Sequence, residues 1–335
     1  MRSRISYRIH AATQAGNARG RRLGVNQVLH PSAVVLEWAG GYNKVNSQVK
    51  ALVCAVVASV LMGTLGVFVK ESQCAAQTCS FVRFAIGLLL VLPLFLLRPG
   101  SKAFSWQSVV SGIGISLCIL FYFYAICGLS VGVAALLLYT GPVFAAAGEA
   151  VIRRRMPSGR DFLLMLASLA GIALVCGPSV GAGGQALDVV YGILSGVCYA
   201  AYILFNRLIP GNVTMLQRTF WQFAAGGAVL AGPFLMQENP LQHVGTGWPY
   251  LLCIGVLQGF LVLVLVAYAV KHLSAIRYGT IAYVEPVLAV ALGWMVYQDT
   301  MGPLQWLGVV LVLAASAAQS LLPQDSQTSS SPQHD

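Results

Sequence analysis

The chain has 335 residues, of which 57% are hydrophobic and only 9% are charged, and its formal net charge is +10. Because soluble domains carry about 25% charged residues, this composition excludes an ordinary soluble enzyme. It also excludes a disordered chain, which needs low hydrophobicity and high charge. We therefore predict an all-α integral membrane protein.

The basic charge is concentrated at the N-terminus. The first 50 residues hold eight Lys and Arg side chains and one acidic residue, Glu37. This distribution indicates a basic tail rather than a nucleic-acid-binding surface, and no nucleic-acid partner is predicted. We predict that residues 1–49 form a disordered cytoplasmic tail, or an upstream extension from a misassigned start codon. A tail that binds acidic lipid head groups is the alternative.

Ten apolar runs follow, each close to the 20 or so residues that a helix needs to cross a hydrocarbon core about 30 Å thick. Short joins that contain Pro, Gly or basic residues separate these runs. Residues 323–335 are again predicted to be disordered. The predicted spans 1 to 10 are 51–69, 80–97, 107–127, 131–152, 162–178, 189–206, 216–236, 249–270, 275–297 and 304–322.

Lys and Arg residues fall on alternate joins. With the N-terminus inside, the inner joins contain ten of them and the outer joins only one, Lys70. Short loops rich in Lys and Arg remain cytoplasmic. The sequence therefore predicts a multi-pass protein of the cell membrane with both termini in the cytoplasm.

The chain also contains an internal repeat. After a shift of 144 positions, residues 124–147 align without gaps on residues 268–291, with nine identities in 24 positions. Each half, 50–178 and 188–322, holds five predicted spans, and because five is odd the two halves enter the membrane in opposite senses. Inverted repeats of this kind are typical of secondary transporters, whose substrate site lies near the membrane centre between the repeats.

The repeated segments YTGPVFAAA in span 4 and YVEPVLAVA in span 9 resemble the EamA domain that is duplicated in the drug/metabolite transporter superfamily. The resemblance covers roughly residues 50–322. It implies ten transmembrane helices in two inverted five-helix repeats, and a carrier that often exports amino acids, their derivatives or toxic compounds. The family commonly has an acidic residue after spans 4 and 9. Asp299 matches the second of these positions, whereas Arg155 stands at the first.

Glu285 is the leading candidate for a transport residue, because it lies near the middle of span 9. Pro286 follows it, and the missing N–H of a proline frees a backbone carbonyl one turn earlier. Carboxylate and carbonyl together would hold a substrate amine, a proton or a cation, since acidic residues at this depth serve transport pathways. The alternative is a structural carboxylate paired with Arg83 or with a tyrosine hydroxyl.

The repeat suggests which neighbours of Glu285 matter. It aligns Glu285 with Gly141, whereas Tyr283 has a matching Tyr139. We interpret the duplicated tyrosines as packing residues and the unique glutamate as a substrate residue. Two positions along a helix correspond to about 200°, so Tyr283 points away from Glu285. Tyr278, two turns earlier on the same face, is predicted to be its neighbour.

Two other ionisable side chains lie inside predicted spans. Arg83, near the outer end of span 2, either extends to the membrane surface or binds a carboxylate. Glu149 precedes Arg153 by four residues, a spacing that favours an ion pair on the helix surface over a cytoplasmic gate.

Prolines and glycines indicate where helices bend or pack closely. Pro142 and Pro286 stand at equivalent positions of the repeat and are candidate hinges, with a static kink as the alternative. The GxxxG spacings of Gly192 with Gly196 and of Gly255 with Gly259 favour close helix packing.

Aromatic and uncharged polar side chains are frequent in the same spans. As a set they predict a cavity that stacks flat or amphipathic solutes, although any single tyrosine has packing or the membrane interface as its alternative. The predicted substrate-binding residues are Glu285, Tyr278, Arg83, Tyr124, Tyr199, Tyr202, Gln258 and Tyr268.

Other functions lack the residues that they require. GLSVG (128–132) matches a nucleophile pattern, but it forms the turn between two predicted membrane helices, so an enzyme is not expected. The sequence has no Gly-Lys dipeptide for a phosphate loop and no histidine pair at metal-ligand spacing. No metal or cofactor is predicted. Cys74 and Cys79 share the first outer loop as a candidate disulfide.

The sequence thus predicts a secondary active transporter of a small neutral or zwitterionic organic metabolite, such as an amino acid, a derivative or a toxic amphiphile. By the resemblance, export is favoured. The predicted partners are the lipid bilayer, the small-molecule substrate and a coupling proton or cation, while the oligomeric state stays open. The alternative is a membrane protein that binds lipid or a partner without transport.

Overall fold

The computed structural model describes residues 31–97, 104–152, 159–180, 186–273, 281–282, 284–298 and 302–321. All regular secondary structure in these residues is helical, as predicted. One helical segment, Ile254–Leu261, is a π-helix. The α-helices are α1 (Pro31–Gly63), α2 (Leu65–Ser72), α3 (Ala76–Leu97), α4 (Trp106–Gly128), α5 (Val131–Leu138), α6 (Gly141–Ile152), α7 (Gly159–Val180), α8 (Ala186–Arg207), α9 (Met215–Leu235), α10 (Val244–Cys253), α11 (Val262–His272), α12 (Val284–Tyr297) and α13 (Pro303–Leu321).

Within the described residues, five helical stretches are long and apolar enough to cross a membrane. Shorter apolar helices of 10–17 residues coincide with predicted spans 4, 5, 9 and 10. Helix α9, predicted as span 7, is not among the five, and it carries Gln217, Arg218 and Gln222. The five stretches are Ser47–Ser72, Ala76–Leu97, Trp106–Gly128, Ala186–Arg207 and Val244–Val266.

The exposed surface of these helices is largely apolar, and several polar side chains lie inside. Leu97 is 78% exposed and Leu89 is 67% exposed, whereas Arg83 is 8% and Gln258 only 1% exposed. A polar group that faces hydrocarbon costs several kcal/mol, so a lipid environment favours this distribution. The arrangement agrees with a membrane protein.

The predicted N-terminal tail overlaps helix α1. This helix begins at Pro31 and continues to Gly63, so residues 31–49 are helical in the structure, and the cytoplasmic position of the tail stays a prediction. Pro31 does not break the helix because it is the first helical residue, where an N–H would have no partner within the helix. The described residues exclude 1–30 and 322–335. The first part of the predicted N-terminal tail and the whole predicted C-terminal tail therefore lie outside them. The spans belong to a compact unit, Ser47–Asp335, that is separate from Met1–Asn46.

Within the described residues, three predicted spans depart from regular α-helix. Span 1 has an irregular turn at Thr64, whose hydroxyl donates to the carbonyl of Leu61 at 2.7 Å while its N–H still donates to the carbonyl of Val60 at 3.2 Å. Span 4 is divided between α5 and α6, where the hydroxyl of Thr140 donates to the carbonyl of Leu137 at 2.6 Å. Hydroxyls that bond to their own backbone compete with regular helix. In span 8 the π-helix separates α10 from α11, and π-helical turns are frequent at functional sites.

Both candidate hinge prolines occupy first turns. Pro142 is the second residue of α6, and Pro286 is the third residue of α12. Proline is tolerated there because the first N–H groups of a helix have no partner within it. Pro142 therefore lies beside an interruption of span 4 rather than inside a continuous helix, and its hinge role stays a prediction.

Small residues allow the close helix contacts that the GxxxG spacings predicted. A Cβ atom at Gly196 would lie 2.9 Å from the backbone oxygen of Leu137, so α8 contacts α5 directly. A Cβ atom at Gly259 would lie 3.2 Å from the backbone oxygen of Arg83, so the π-helix contacts α3. The predicted close packing is confirmed at both pairs.

Gly112 offers a test of this packing. We expect Gly112→Ala to destabilise the protein by about 1–3 kcal/mol, because overpacking forces the backbone to shift. The added Cβ atom would lie 2.6 Å from the Cα and carbonyl oxygen of Gln222 in α9. Gly227→Ala is the control, since a Cβ atom there meets nothing within 4 Å. Thermal unfolding in detergent measures the difference, and equal melting temperatures for both variants would contradict the packing.

The candidate disulfide is not formed. Cys74 and Cys79 are both free and buried. The Sγ atom of Cys79 lies 3.3 Å from the hydroxyl of Ser72, and burial raises the pKa of the Cys74 thiol. The shared loop brings the two cysteines close in sequence, but both side chains serve packing.

Candidate functional site

The candidate site is centred on Glu285 at the start of α12. The hydroxyl of Tyr139 lies 2.7 Å from Glu285 Oε2 and 3.2 Å from the backbone oxygen of Ala282, and it donates to both acceptors. Ala282 precedes Pro286 by four residues, so its carbonyl is the one that the proline leaves without a helical partner. Tyr139 thus bridges the carboxylate of Glu285 and the backbone oxygen of Ala282, and the role of this pair in transport stays a prediction.

This contact corrects the interpretation of Tyr139. The side chain lies at the interruption of span 4 and its hydroxyl bonds Glu285, so it does more than pack. Helix periodicity within span 9 could not reveal a partner from another span, which is why Tyr278 was predicted instead. Tyr278 itself lies outside the described residues, as do Tyr283, Arg153, Arg155, Asp299 and the side chains of Glu149 and Pro142.

Arg83 points into the protein and does not extend to the membrane surface. Its Nη2 atom donates to the backbone oxygen of Gln258 at 3.0 Å and lies 3.6 Å from Met62 Sδ. Its Nη1 atom is buried and has no hydrogen-bond partner among the described residues. Arg83 and Glu285 attract each other electrostatically, although the guanidinium contacts Gln258 and Met62 rather than the carboxylate.

Gln258 joins the π-helix to span 1. Its Nε2 atom donates to the backbone oxygen of Leu61 at 3.1 Å and to the hydroxyl of Thr64 at 3.2 Å. Its Oε1 atom is buried and has no hydrogen-bond partner in the part of the chain that the structure describes. The side-chain amide of Gln258 is thus buried, with its Nε2 atom hydrogen-bonded and its Oε1 atom without a hydrogen bond among the described residues.

Residues Leu61–Thr64, hereafter the span 1 break, contact every part of this cluster. Leu61 and Thr64 accept hydrogen bonds from Gln258, and Met62 contacts Arg83. A Cβ atom at Gly63 would lie 3.0 Å from the backbone oxygen of Glu285. Sequence reasoning missed this segment because its signal, a Gly-Thr pair within an apolar run, is weak.

The described tyrosines of the predicted set lie in three ring pairs. Tyr124 stacks on Tyr191, with ring centroids 4.9 Å apart, and Tyr199 stacks on Tyr202 at 5.8 Å. The rings of Tyr268 and His272 are 4.4 Å apart. The reason is topological: the tyrosines lie on different helices, and Tyr268 packs in a small cluster with Ala51 and Ala55.

The Tyr199 pair lies beside the interruption of span 4. A Cβ atom at Gly141 would lie 2.5 Å from Tyr199 Cδ1, so the ring contacts the start of α6 directly. On the adjacent turn, Tyr202 interacts with Asn206. The Nε2 atom of Gln222 donates to Asn206 Oδ1 at 3.1 Å and to Ser111 Oγ at 2.9 Å, which joins α4, α8 and α9.

The C-terminal ends of α2 and α12 are also joined. The hydroxyl of Tyr297 donates to Glu71 Oε1 at 2.9 Å, and Lys70 Nζ lies 4.8 Å from the centroid of the Tyr297 ring. The contact between span 1 and span 9 therefore extends from Gly63 to the end of both helices.

The polar cluster is covered in this structure. A surface cavity of about 480 Å³ lies elsewhere, between residues 73–77 and residues 237–243. The unpaired atoms of Arg83 and Gln258 are instead enclosed by protein. A solute would reach them only in a conformation that separates the surrounding helices.

An all-helical membrane protein with a polar cluster at interrupted helices belongs to the class of membrane transporters. The EamA-like transporter family matches residues 49–177 and, a second time, residues 187–320. The chain is therefore a member of the EamA-like transporter family.

Several curated relatives cover most of the chain. An uncharacterized transporter of Archaeoglobus fulgidus is 28% identical over 267 residues, which are 77% of this chain and 92% of the relative. The pseudopaline exporter CntI of Pseudomonas aeruginosa is 28% identical over 273 residues, 79% of this chain and 94% of the relative. The threonine/homoserine exporter RhtA of Escherichia coli K12 is 23% identical over 257 residues, which are 72% of this chain and 80% of the relative.

A solved crystal structure shows the same fold. The superposition covers 84% of this chain and 100% of the solved chain, with a TM-score of 0.56 and 17% sequence identity. The family and the relatives are transporters rather than enzymes. Ser130, the only nucleophile that the sequence suggested, is the N-cap of α5 and accepts from the N–H of Val133 at 3.2 Å.

Proposed function

We propose that this protein is a secondary active exporter of a small neutral or zwitterionic organic metabolite and works by alternating access. Ten membrane helices form two inverted five-helix repeats, with both termini in the cytoplasm. The observation that carries the proposal is the hydrogen bond from Tyr139 to Glu285, because it joins span 4 of the first predicted repeat to span 9 of the second.

The position of this contact favours a transport site. Tyr139 lies in span 4, in the first predicted repeat, and Glu285 lies in span 9, in the second. Secondary transporters bind their substrates between repeats, at discontinuous membrane helices. Spans 1, 4 and 8 each contain a departure from regular α-helix, and the irregular turns of spans 1 and 4 as well as the π-helix of span 8 contribute to the cluster or adjoin it.

The chemistry of Glu285 favours an amine or a proton as its ligand. Its carboxylate accepts a hydrogen bond from Tyr139 together with the free carbonyl of Ala282. A substrate amine would replace the tyrosine hydroxyl as the donor to both acceptors, and a coupling proton would neutralise the carboxylate. Two relatives are named as exporters, one of pseudopaline and one of threonine and homoserine, which supports export of an amino-acid-like solute.

Alternating access requires that one end of the pathway closes while the other opens. The contact of Tyr297 with Glu71 and Lys70 closes the end of α2 and α12 that the predicted topology places outside. Pro142 and Pro286, in the first turns of α6 and α12, are the proposed hinges. Helix starts next to an interruption bend without breaking internal hydrogen bonds.

Reconstituted protein tests the proposal. Proteoliposomes with an imposed pH gradient are given radiolabelled L-threonine, L-phenylalanine or phenethylamine, and initial rates are compared with those of protein-free liposomes. We expect at least one solute to move faster with protein, and a protonophore to remove that excess. If no solute moves with protein while a lipid or solute still raises its melting temperature, the alternative of a non-transporting binding protein is favoured.

A further inference from the structure

We infer that Arg83 is the carboxylate-binding group of the transport site, so that the preferred solute carries a carboxylate as well as an amine. The inference rests on the proposed function and narrows it, since it selects zwitterions over neutral solutes and over simple amines.

The first observation is the unpaired Nη1 atom of Arg83. Within the described part of the chain, no other charged side chain is as buried as Arg83, and Nη1 has no hydrogen-bond partner in the protein. A buried donor without a partner is costly, and each such group in a native structure requires an explanation. An anionic ligand supplies one, because a guanidinium binds carboxylates with good geometry.

The second observation is the matching acceptor on Gln258. Gln258 Oε1 is also buried and unpaired, and the backbone oxygen of the same residue holds Arg83 Nη2 at 3.0 Å. An open donor and an open acceptor therefore lie on two residues in direct contact. A solute that carries both a carboxylate and an N–H group would satisfy both atoms.

The third observation is the orientation of the guanidinium. Nη2 contacts the backbone oxygen of Gln258 and the sulfur of Met62. Nη1 is therefore the guanidinium amino group that has no hydrogen bond among the described residues. The Gln258 side chain is itself fixed by two hydrogen bonds to the span 1 break. Preorganised donors lose little entropy on binding, so this arrangement favours recognition.

The charge distribution fits the two ends of a zwitterion. Arg83 and Glu285 attract each other, yet the guanidinium contacts Gln258 and Met62 instead of the carboxylate. A solute carboxylate on Arg83 and a solute ammonium near Glu285 would compensate both charges. Separation of the helices at the span 1 break and the π-helix would expose the binding atoms.

Paired solutes test the inference. Proteoliposomes are given L-phenylalanine or L-phenylalaninamide, and L-threonine or L-threoninamide, because each pair differs only in the carboxylate. We expect the wild type to transport the carboxylates at least about tenfold faster than the amides, as charge-assisted hydrogen bonds imply. Arg83→Gln should remove this preference by slowing the carboxylates, with the amides changed less than about twofold. Lys50→Gln, an exposed basic residue, is the control.

The outcomes separate this inference from the proposed function. If the wild type transports solutes without a preference for carboxylates, the inference is overturned and the proposed function stays intact. The same holds if Arg83→Gln slows the carboxylate and the amide of a pair equally. No transport of any solute overturns both. Arg83→Gln removes a buried hydrogen bond and thereby lowers stability, so the preference is measured first on the wild type alone. It is then measured as the rise in the melting temperature of the wild type with L-phenylalanine against L-phenylalaninamide.

Discussion

Glu285→Gln is expected to abolish transport driven by a pH gradient, with the initial rate reduced at least about tenfold. The substitution keeps the size of the side chain and an acceptor for the hydroxyl of Tyr139, which lies 2.7 Å from the carboxylate. It removes the negative charge and the proton-binding site. A loss of transport would therefore report on charge rather than on packing.

Solute exchange distinguishes the two proposed roles of this carboxylate. In exchange, labelled solute outside replaces unlabelled solute inside without a pH gradient. If Glu285 couples protons, the Gln variant retains exchange and loses only gradient-driven accumulation; if it binds the solute amine, both are lost. Glu238→Gln, at an exposed glutamate, is the matched control. Full gradient-driven transport by Glu285→Gln would exclude Glu285 from the site.

Tyr139→Phe is expected to slow transport about tenfold and to lower the melting temperature by a few degrees. The hydroxyl bonds both Glu285 and the free carbonyl of Ala282, so its removal leaves two acceptors without a donor. A hydrogen bond to a charged group contributes about 1.5–3 kcal/mol, which corresponds to about one to two orders of magnitude in rate or affinity. Initial rates in proteoliposomes and thermal unfolding in detergent measure both effects.

Tyr250→Phe is the control for this substitution. Tyr250 lies in α10, where its ring centroid is 6.3 Å from that of Phe68 and the contact between the rings does not involve the hydroxyl. We expect this variant to transport at the wild-type rate. If Tyr139→Phe is equally unaffected, the hydroxyl does not contribute to the cycle, and the contact between the proposed repeats loses its functional meaning.

Part of the candidate site could be predicted from local sequence. Pro286 frees the carbonyl four residues earlier in any helix, so Ala282 and Glu285 were predictable as a pair of acceptors without knowledge of the fold. Arg83 and Gln258 were predictable as candidates because polar side chains in membrane spans require partners. The identity of those partners was not predictable in the same way.

The partners come from distant parts of the chain. Tyr139 and Glu285 are 146 positions apart, and Gln258 and Leu61 are 197 apart. Periodicity along one helix defines which residues share a face, but not which other helix covers that face. For this reason the helix rule within span 9 predicted Tyr278 and could not indicate Tyr139.

The sequence by itself determined that this is a helical membrane protein with an internal repeat, and its repeated motifs indicated the transporter family. Composition, hydropathy and self-similarity are properties of the order of residues along the chain and do not depend on contacts between helices. Only the tertiary structure decided that the span 1 break joins Arg83, Gln258 and Glu285, and that Arg83 and Gln258 each keep one buried polar atom unpaired. Those features depend on which helix backbones approach each other, and that is a property of the packed bundle rather than of any single helix.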